Sequence, residues 1–483
     1  MVLIATSYGL SLVLVINIIL TFIIIFLERK NPQSTYAWLL LLWMIPAVGF
    51  VFYLFFSQNL TRRKIFKISS TERALTNTII QQQKRDLTEQ DKEMNDITWD
   101  NYGDMIQFHQ NLSDAIYTDD NRVEIFTDGE EKFSTLLKDI AEAKDHIHMQ
   151  YFIFKSSSLA DRIMEALKAK ALQGVEVRLL FDDMGAIFLK RIDFQDLKDS
   201  GVKVARFFPS RIKYINLKAN YRNHRKVTVI DGKIGYIGGF NVGDEYLGLD
   251  LKMGYWRDTH LRLEGSAVYE LQVRFFMDWR ASHGEELVLN SHFMPDIEKN
   301  GEVGLQIVSS GPDDPNEQIK QGYLKMIHAA KSYIFIQTPY FVPDQSILEA
   351  LRIAAKSGVD VRIMIPNKPD HLFVYWATFS YVGELLGYGA KIYVYDNGFL
   401  HAKTIVVDDQ VASVGTCNFD IRSFSLNFEV NAFIYDQNVC YKLKEIFIED
   451  MKKSIRINEN RYKSRPVTMK IKESISRLFS PIL

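Results

Sequence analysis

The stretch His224-Arg-Lys-Val-Thr-Val-Ile-Asp231 recurs later in the chain as His401-Ala-Lys-Thr-Ile-Val-Val-Asp408. In both copies six further residues lead to a pair of small residues, and an asparagine stands two positions beyond that pair. These downstream stretches read Gly238-Gly239-Phe-Asn241 and Gly415-Thr416-Cys-Asn418. Identical spacing at two places indicates one structural unit that is present twice.

Three other stretches also occur twice, and in the same order along the chain. Strand-like and helical runs alternate between them, a pattern that favours an α/β fold. The sequence therefore predicts a duplicated α/β domain with a boundary near Asn300, and not a solenoid of short repeats. The echoes pair 148–152 with 335–341, 174–178 with 358–362, and 203–207 with 391–395.

The N-terminal part of the chain is strongly apolar. No side chain between Met1 and Leu27 is charged, and 8–27 is a nearly continuous run of Leu, Ile, Val and Phe. At ~1.5 Å per residue, a helix of this length covers the ~30 Å hydrocarbon core of a bilayer. A second uncharged run, Tyr36 to Phe56, follows a short link. Because the first run lacks the basic start and the cleavage site of a signal peptide, we expect a transmembrane helical hairpin.

The basic residues that flank the two expected spans indicate their orientation. Five of them follow the second span, whereas the loop between the spans carries only Arg29 and Lys30. By the positive-inside rule, the bulk of the chain is expected in the cytoplasm. The five residues are Arg62, Arg63, Lys64, Lys67 and Arg73.

These patterns divide the chain into five segments. The hairpin occupies residues 1–57, and residues 58–118 are polar and rich in Gln, Lys and Glu, as expected of a helical or loose linker. The two copies of the repeat occupy 119–300 and 301–450. A basic amphipathic tail occupies 451–483.

Two basic regions have more than one interpretation. The tail places Ile471, Ile475, Leu478 and Phe479 on one helical stripe, as in an interfacial helix on anionic lipid. A helix docked on the protein, or a disordered tail, fits equally. The basic residues near the first motif either attract anionic headgroups or form a solvated face. They are Arg211, Lys213, Lys218, Arg222 and Arg225.

The charge and cysteine content excludes other classes of protein. The 483 residues carry 58 Lys+Arg against 59 Asp+Glu, and a formal net charge of −1 argues against a surface that binds nucleic acid throughout. Cys417 and Cys440 are too few for a disulfide framework and lack the CxxC spacing of a zinc or redox site. They favour a reducing compartment.

The repeated motif places its polar residues on one face of a strand. Side chains two positions apart share a face, so His224 projects with Lys226, and His401 with Lys403. The aspartate that ends each motif has the opposite parity, so on a regular strand it points away and favours a structural role. The small residues let the backbone turn, which returns each asparagine to the His/Lys pair.

A site with two histidines, two lysines and two asparagines suits a phosphodiester. One imidazole attacks phosphorus and forms a covalent phosphohistidine, while the other protonates the departing alkoxide and later deprotonates the incoming hydroxyl. The lysines and asparagines would hold the non-bridging oxygens as charge develops. These residues provide no convergent carboxylate cluster, so no metal is predicted.

Four longer strings resemble the phospholipase D superfamily and, within it, the bacterial cardiolipin synthases. The resemblance covers roughly Tyr117 to Asp450. It implies two phospholipase D-like α/β sandwich domains that share one active-site cleft, behind a hairpin in a bacterial cell membrane. The strings are NHRKVTVIDGKIGYIGGFNVGDEYLG from Asn223, YWRDTHLRLEG from Tyr255, QTPYFVPD from Gln337 and HAKTIVVDDQVASVGTCNFDIRSFSLNFEVN from His401.

The resemblance implies a role for each residue of the paired signature. His224 and His401 serve as nucleophile and general acid/base, with His224 favoured as the nucleophile and His401 left open. A carboxylate downstream orients each histidine: Glu429 in the second half and Asp258 in the first. The implied catalytic set is His224, Lys226, Asp231, His401, Lys403 and Asp408.

The resemblance also implies phosphate-binding positions, and here the sequence departs from the family pattern. The position two residues before each asparagine is usually serine, but it is Gly239 in the first half and Thr416 in the second. Only Thr416 can therefore supply a hydroxyl. The implied phosphate-binding set is Asn241, Asn418 and Thr416.

The implied activity is that of a phosphatidyltransferase, in which two phosphatidylglycerols give cardiolipin and glycerol without a cofactor. A hydrolytic phospholipase D, which makes phosphatidic acid, differs only in whether water or a lipid alcohol reaches the phosphoenzyme. A membrane-tethered phosphodiesterase or nuclease is more distant, and a silent membrane scaffold would not require the motifs. The expected partners are phosphatidylglycerol and anionic membrane lipid, not nucleic acid, and a homo-oligomer is left open.

Overall fold

The computed structural model describes residues 2–28, 32–56, 65–66, 70–90, 97–186, 191–209, 220–297, 299 and 301–480. A π-helix over Ile23–Glu28 extends the first helix, and a 3-10 turn spans Asp244–Leu247. The helices are α1 (Val2–Phe22), α2 (Pro32–Met44), α3 (Pro46–Phe56), α4 (Ser70–Gln90), α5 (Ile97–Ser113), α6 (Gly129–Glu142), α7 (Ser158–Leu172), α8 (Arg191–Asp199), α9 (Ala267–His283), α10 (Gln318–Ala329), α11 (Gln345–Lys356), α12 (Leu372–Leu386), α13 (Ile421–Ser425), α14 (Gln437–Lys452), α15 (Glu459–Lys463) and α16 (Val467–Phe479).

The strands of the same segments are mostly short and buried. They are β1 (Tyr117–Phe126), β2 (His146–Tyr151), β3 (Glu176–Asp182), β4 (Lys203–Phe207), β5 (Arg222–Asn223), β6 (Val227–Ile230), β7 (Ile234–Gly238), β8 (Trp256–Arg257), β9 (His260–Glu264), β10 (Val303–Ser310), β11 (Tyr333–Gln337), β12 (Phe341–Val342), β13 (Asp360–Pro366), β14 (Lys391–Tyr395), β15 (Phe399–Leu400), β16 (Thr404–Val407), β17 (Val411–Gly415), β18 (Phe419–Asp420), β19 (Asn427–Tyr435) and β20 (Ser454–Ile457).

Most of these strands join one long sheet whose two halves correspond in order. From its outer edge inward, the first half runs β4-β3-β2-β6-β7-β9-β1, and the second runs β14-β13-β11-β16-β17-β19-β10. Antiparallel pairing of β1 with β10 joins the halves, and β20 adds an outer edge beside β14. The predicted α/β class is confirmed, and apart from β20 the strands of the long sheet correspond between the two halves.

Helices cover both faces of the sheet because successive strand side chains point to opposite faces. On β11, Ile334 and Ile336 pack with α10, α11 and α12, whereas Phe335 packs with α14. In the first half, Ile147 and Met149 of β2 pack with α6 and α7, and α9 covers the other face. Each fully buried aliphatic side chain of this kind contributes about 1.5–3 kcal/mol.

The segment 58–118, which was expected to be a polar linker, holds helices α4 and α5. Helix α5 belongs to the core of the second half, where Tyr102, Met105 and Ile106 are buried. Gln306 of β10 donates from Nε2 to the Ile106 carbonyl at 3.2 Å. The prediction of a linker is therefore wrong for α5, whose apolar face is covered by the second half.

The two N-terminal apolar runs form α1 with its π-helical extension, and α2 with α3. Asn17 ties them together, since its Nδ2 donates to the Leu42 carbonyl at 3.0 Å and to the Pro46 carbonyl at 3.2 Å. Within the described ranges, no helix is long and apolar enough to cross a membrane. The prediction of two membrane spans is not confirmed by these helices. The loop residues Arg29 and Lys30 and the basic stretch Arg62–Lys64, on which the predicted orientation depends, lie outside the described residues, as does Lys67.

The basic tail forms α15 and α16, and α16 docks on α12 through its polar face. The Tyr381 hydroxyl and Ser480 Oγ lie 2.9 Å apart, and Arg477 pairs with Glu384 at 2.5 Å. Of the predicted apolar stripe, Ile471 and Leu478 are 54% and 53% exposed. The docked interpretation of the tail thus applies, with the apolar stripe turned outward.

Candidate active site

Two strand exchanges between the halves bring the motif histidines together. His224 follows β5, which pairs with β19 of the second half, and its N–H donates to the Phe428 carbonyl at 2.9 Å. His401 follows β15, which pairs with β8 of the first half, and its N–H donates to the Arg257 carbonyl at 2.7 Å. Each histidine is therefore positioned by the backbone of the opposite half.

The histidines face a single cleft of about 620 Å³. The cleft lies between the halves and has an opening, so a substrate can reach both imidazoles at once. Its walls combine aromatic, amide and cationic side chains, including Phe152, Arg222, Asn241, Tyr246, Trp256, Asn418, Arg422 and Asn427. The predicted site residues His224, His401, Asn241 and Asn418 all line it.

The carboxylates that orient the histidines cross between the halves. His224 Nδ1 lies 2.9 Å from Glu429 Oε2, and His401 Nδ1 lies 2.6 Å from Asp258 Oδ2. The expectation that each carboxylate serves the histidine of its own half is wrong. The crossing follows from the exchanged strands, because β5 lies beside β19, which carries Glu429, and β15 lies beside β8, which precedes Asp258. In both pairs, Nε2 is left for the substrate.

Burial sets the charge of these pairs. Burial lowers the pKa of His224 to about 4, and Lys226 adds to this against the opposing effect of Glu429. Burial and Lys403 lower the pKa of His401. Burial is the largest influence on the pKa of Glu429 and would raise it, but His224, Lys226 and the hydrogen bonds to the carboxyl together lower that pKa below its ordinary value. The two pairs are thus neutral imidazoles beside ionised carboxylates.

The motif lysines lie behind the histidines. Lys226 Nζ donates to the His224 carbonyl at 2.6 Å, and Lys403 Nζ donates to the His401 carbonyl. Both side chains are fully buried. Burial lowers the pKa of Lys403 to about 8 and that of Lys226 well below its ordinary value. An anionic phosphate in the cleft would favour the charged form of both.

The two motif asparagines each donate to a hydroxyl five residues ahead. Asn241 Nδ2 donates to the Tyr246 hydroxyl at 3.0 Å, and Asn418 Nδ2 donates to Ser423 Oγ at 3.2 Å. Asn241 Oδ1 also accepts the Ile153 N–H at 3.0 Å. Asn418 Oδ1 is buried and has no partner within the described structure, so it can meet a donor on a ligand.

Position 416, predicted to bind phosphate, lies outside the cleft wall. The Thr416 hydroxyl donates to the Val430 carbonyl at 3.2 Å and lies beside Glu429, where it contributes to lowering the pKa of that carboxyl. At the equivalent Gly239, an added Cβ would lie 1.9 Å from Asp258 Oδ1. Both positions therefore touch the orienting carboxylates, and the geometry does not support phosphate binding by Thr416.

The motif aspartates form turns and do not face the cleft. Asp231 accepts the N–H groups of Lys144, Asp145 and His146 at 2.8–3.0 Å. Asp408 does the same at 2.7–2.9 Å for 331–333. Their placement contradicts the catalytic role that the family resemblance implied. It agrees with the prediction that these aspartates point to the strand face opposite the histidines. Each one instead fixes the residues that begin β2 or β11.

A buried polar network behind each histidine was missed in the sequence. Arg225 is 1% exposed, and its Nη1 pairs with Asp278 Oδ1 at 2.8 Å. Arg225 is therefore part neither of a solvated face nor of a surface that attracts lipid headgroups. Three other residues of this basic region lie outside the described residues: Arg211, Lys213 and Lys218. The echo of Gln150 by Gln337 was the available signal. Gln150 donates to Asp278 at 2.7 Å, and in the second half Gln337 and Arg257 donate to Asp450 at 2.9 and 2.8 Å.

Metal-ligating groups are not gathered in the part of the chain that the structure describes. No cluster of three or more His, Cys, Asp or Glu side chains there could hold a metal ion. Cys417 and Cys440 are both buried and free. The cleft chemistry available from these residues is that of imidazole, carboxylate, amide and cationic groups.

Two family models match the chain. One, described as "Cardiolipin synthase, PLD-like domain", matches residues 136–279 and 323–451. The other, described as "Phospholipase_D-nuclease N-terminal", matches residues 15–58. The first covers both halves of the sheet, and the second covers the apolar helices.

Similar proteins agree with these matches over the full length. The major cardiolipin synthase of Bacillus subtilis is 53% identical over 480 residues, and the cardiolipin synthase of Oceanobacillus iheyensis is 52% identical over 478. Each alignment covers 99% of this chain and 99% of the relative. The crystal structure of phosphatidylserine synthase from Haemophilus influenzae shares the fold, with a TM-score of 0.62 at 13% identity over 78% of this chain and 99% of that one.

Proposed function

Because the chain belongs to the cardiolipin synthase family of the phospholipase D superfamily, we propose that it joins two phosphatidylglycerols into cardiolipin and releases glycerol through a phosphohistidine. Its activity is that of a phosphatidyltransferase. The observation that carries the proposed mechanism is the pair of buried histidines in one cleft, each with Nδ1 on a carboxylate of the opposite half. Both Nε2 atoms are then available to one phosphodiester.

In the first step, we assign the attack on the donor phosphorus to Nε2 of His224. Its neutral imidazole has a lone pair there, since burial lowers its pKa to about 4. As the P–N bond forms, the P–O bond to the terminal glycerol breaks. His401, protonated as the anionic phosphate enters, gives the proton on Nε2 to that oxygen, and glycerol leaves.

In the second step, the terminal hydroxyl of another phosphatidylglycerol gives its proton to His401 and attacks phosphorus. The P–N bond breaks and neutral His224 is restored. Glu429 stabilises positive charge on His224 during both steps, and Asp258 does so for His401, as an orienting carboxylate does for a catalytic histidine. Lys226 and Lys403, which lie directly behind the histidines, compensate the negative charge that develops on the phosphate.

A second cavity supports a lipid as the substrate. It measures about 840 Å³ and lies between α2 and the docked helix α16. Leu40, Trp43 and Leu478 give it an apolar wall, and Ser480 lines both this cavity and the catalytic cleft. A cleft that offers charged and amide groups, next to an apolar cavity that shares the wall residue Ser480 with it, suits a phosphate headgroup with acyl chains. A nucleic acid has no group for the apolar part.

The outer surface beside this cavity supports a location at the membrane. Leu12, Ile19 and Phe22 of α1 are 61%, 54% and 60% exposed, and they face outward as the α16 stripe does. Exposed apolar area of this extent is costly in water and favourable at the headgroup and acyl boundary. The apolar helices would hold the cleft next to its substrate, with the catalytic halves on the cytoplasmic side.

The decisive experiment incubates the purified chain in detergent with phosphatidylglycerol and EDTA, and quantifies lipid products and glycerol. We expect cardiolipin and equimolar glycerol, and a loss of at least about 10³-fold in His224→Ala and in His401→Ala. His328→Ala, at an exposed histidine, is the matched control. Phosphatidic acid as the main product would make the chain a hydrolase, and cardiolipin formation by both variants would refute the mechanism.

A further inference from the structure

Two arginines that belong to neither copy of the motif lie in the cleft wall beside His224. Arg222 stands two positions before His224, so both side chains project from the same side of the extended segment. Arg422 lies on α13 and reaches the same place, where its guanidinium donates to Asn220 Oδ1 at 3.0 Å and to the Asn220 carbonyl at 2.8 Å. The cleft wall thus carries a pair of guanidinium groups, in addition to the two motif lysines that lie behind the histidines.

Nearby carboxylates are largely committed to other groups. Asp182 accepts the N–H groups of Asn223 and Met184 at 2.8 and 3.0 Å and offsets part of the charge of Arg222. Asp420 accepts the N–H of Ser423 at 2.6 Å, which caps α13. Within the described residues, Arg422 forms no ion pair with a carboxylate. Burial and the neighbouring Arg222 lower its pKa to about 10, as expected where two like charges meet.

A buried acceptor lies in the cleft wall opposite Arg222. Asn427 is directly opposite Arg222 in the β5–β19 register, and its Nδ2 donates to Glu429 Oε1 at 3.0 Å. Its Oδ1 is buried without a partner in the described part of the chain, although the residue lines the cleft and is only 5% exposed. A hydroxyl of a bound ligand can donate to this oxygen.

The distance between Arg222 and His224 suits the separation of the two phosphates in cardiolipin. Two positions along an extended strand separate Arg222 from His224 by about 7 Å. A three-carbon glycerol with bonds of about 1.5 Å bridges phosphates over a similar length. With one phosphate on His224, the other would reach the guanidinium groups, and the central hydroxyl of the bridge would lie near Asn427.

We propose that Arg222 and Arg422 bind the phosphate of the acceptor phosphatidylglycerol, and that Asn427 accepts a hydrogen bond from its central glycerol hydroxyl. This assignment rests on the proposed function and names its acceptor subsite. A guanidinium fork matches phosphate oxygens in two parallel hydrogen bonds, so the pair selects an anionic alcohol. Hydrolysis needs one anion site, whereas transfer between two phosphatidylglycerols uses two. The subsite therefore favours the lipid alcohol over water at the phosphohistidine.

The test compares two acceptors that differ only in a phosphate. The full-length enzyme in detergent receives phosphatidylglycerol as donor, with labelled glycerol 3-phosphate and labelled glycerol in competition. Both acceptors meet the same phosphohistidine, so the ratio of labelled products reports the acceptor step alone. We expect the wild type to favour glycerol 3-phosphate by about tenfold or more, as charge-assisted hydrogen bonds allow.

Arg422→Gln should bring this ratio close to one, and Arg422→Lys should give an intermediate value because it keeps the charge but not the fork. Arg222→Gln should act in the same direction. Arg456→Gln, at an exposed arginine of β20, should match the wild type. An unchanged ratio in Arg422→Gln, or no preference in the wild type, would overturn the subsite. Absence of cardiolipin and of both labelled products in the wild type would instead refute the proposed function.

Discussion

At the scale of single residues, the site depends on exchanged carboxylates. Glu429 and Asp258 are fully buried, and each holds the Nδ1 of a histidine from the opposite half. Neither histidine can be oriented by its own half alone. Gly239 shows how tightly the Asp258 carboxylate is packed, since any side chain at position 239 would overlap it. The absence of a family serine at this position leaves the carboxylate room.

Glu429→Gln and Asp258→Asn should each lower kcat by about 10²- to 10⁴-fold, because a neutral amide no longer fixes the tautomer or stabilises the imidazolium. The loss of kcat in each variant should arise through the histidine of the opposite half, which that carboxylate orients. The double variant Glu429→Gln with His224→Ala should therefore be little worse than His224→Ala alone, as a double-mutant cycle measures. Glu449→Gln, on the exposed side of α14, serves as the control. Full additivity of the losses would contradict the crossed pairing.

At the scale of elements, the motif aspartates organise strand entry. Asp231 directly follows β6 and holds the start of β2, and its φ of 54° lies in the left-handed region. Asp408 has a φ of 53° and makes the same contacts with the start of β11. Aspartate and asparagine tolerate this backbone better than other residues with a Cβ. The third residue of the signature is therefore a turn residue in both halves.

Asp231→Ala should destabilise the protein by about 1–3 kcal/mol, because three backbone N–H groups lose a charged acceptor. Asp231→Asn should cost less, since it keeps the turn preference and part of the hydrogen bonding. Urea denaturation in detergent measures both, and Asp119→Ala at an exposed site should stay within about 0.5 kcal/mol of the wild type. A loss of turnover equal to that of His224→Ala, with stability unchanged, would restore a catalytic role to Asp231.

At the scale of the whole molecule, the N-terminal helices and the C-terminal tail meet beside the cleft. Helix α2 and helix α16 enclose the apolar cavity, and Ser480 connects it with the catalytic walls. In the proposed function, the two ends of the chain thus enclose the cavity that would take the acyl chains of the lipid. Helix α16 docks on the protein through the buried residues Glu473 and Ser476. Its apolar stripe therefore faces outward, on the side where a lipid would lie.

Leu478→Arg should lower kcat/KM for long-chain phosphatidylglycerol by about tenfold, because a charge replaces apolar surface that an acyl chain would cover. Turnover of a short-chain phosphatidylglycerol should fall much less. The ratio of kcat/KM for the two lipids measures the effect, and Leu172→Arg, at a 75% exposed leucine of α7, should leave the ratio unchanged. Equal losses for both lipids would argue against an acyl chain in this cavity.

The sequence by itself determined the α/β class, the duplication and the pair of histidines. These depend on local rules: a strand period of two places His224 with Lys226, and a repeated spacing requires the same local structure twice. The same parity separated Asp231 and Asp408 from the histidines. The family resemblance added the activity, because its motifs are long and specific.

Only the tertiary structure decided which carboxylate serves which histidine, and that Thr416, Arg225 and α5 have structural roles. These depend on contacts between residues far apart in the chain, such as the 205 positions between His224 and Glu429. Periodicity carries no information about such pairs, because both halves offer equivalent carboxylates. The pairing of β5 with β19 and of β15 with β8 determines which carboxylate contacts which histidine. It also places Arg222 beside Arg422 between the two halves.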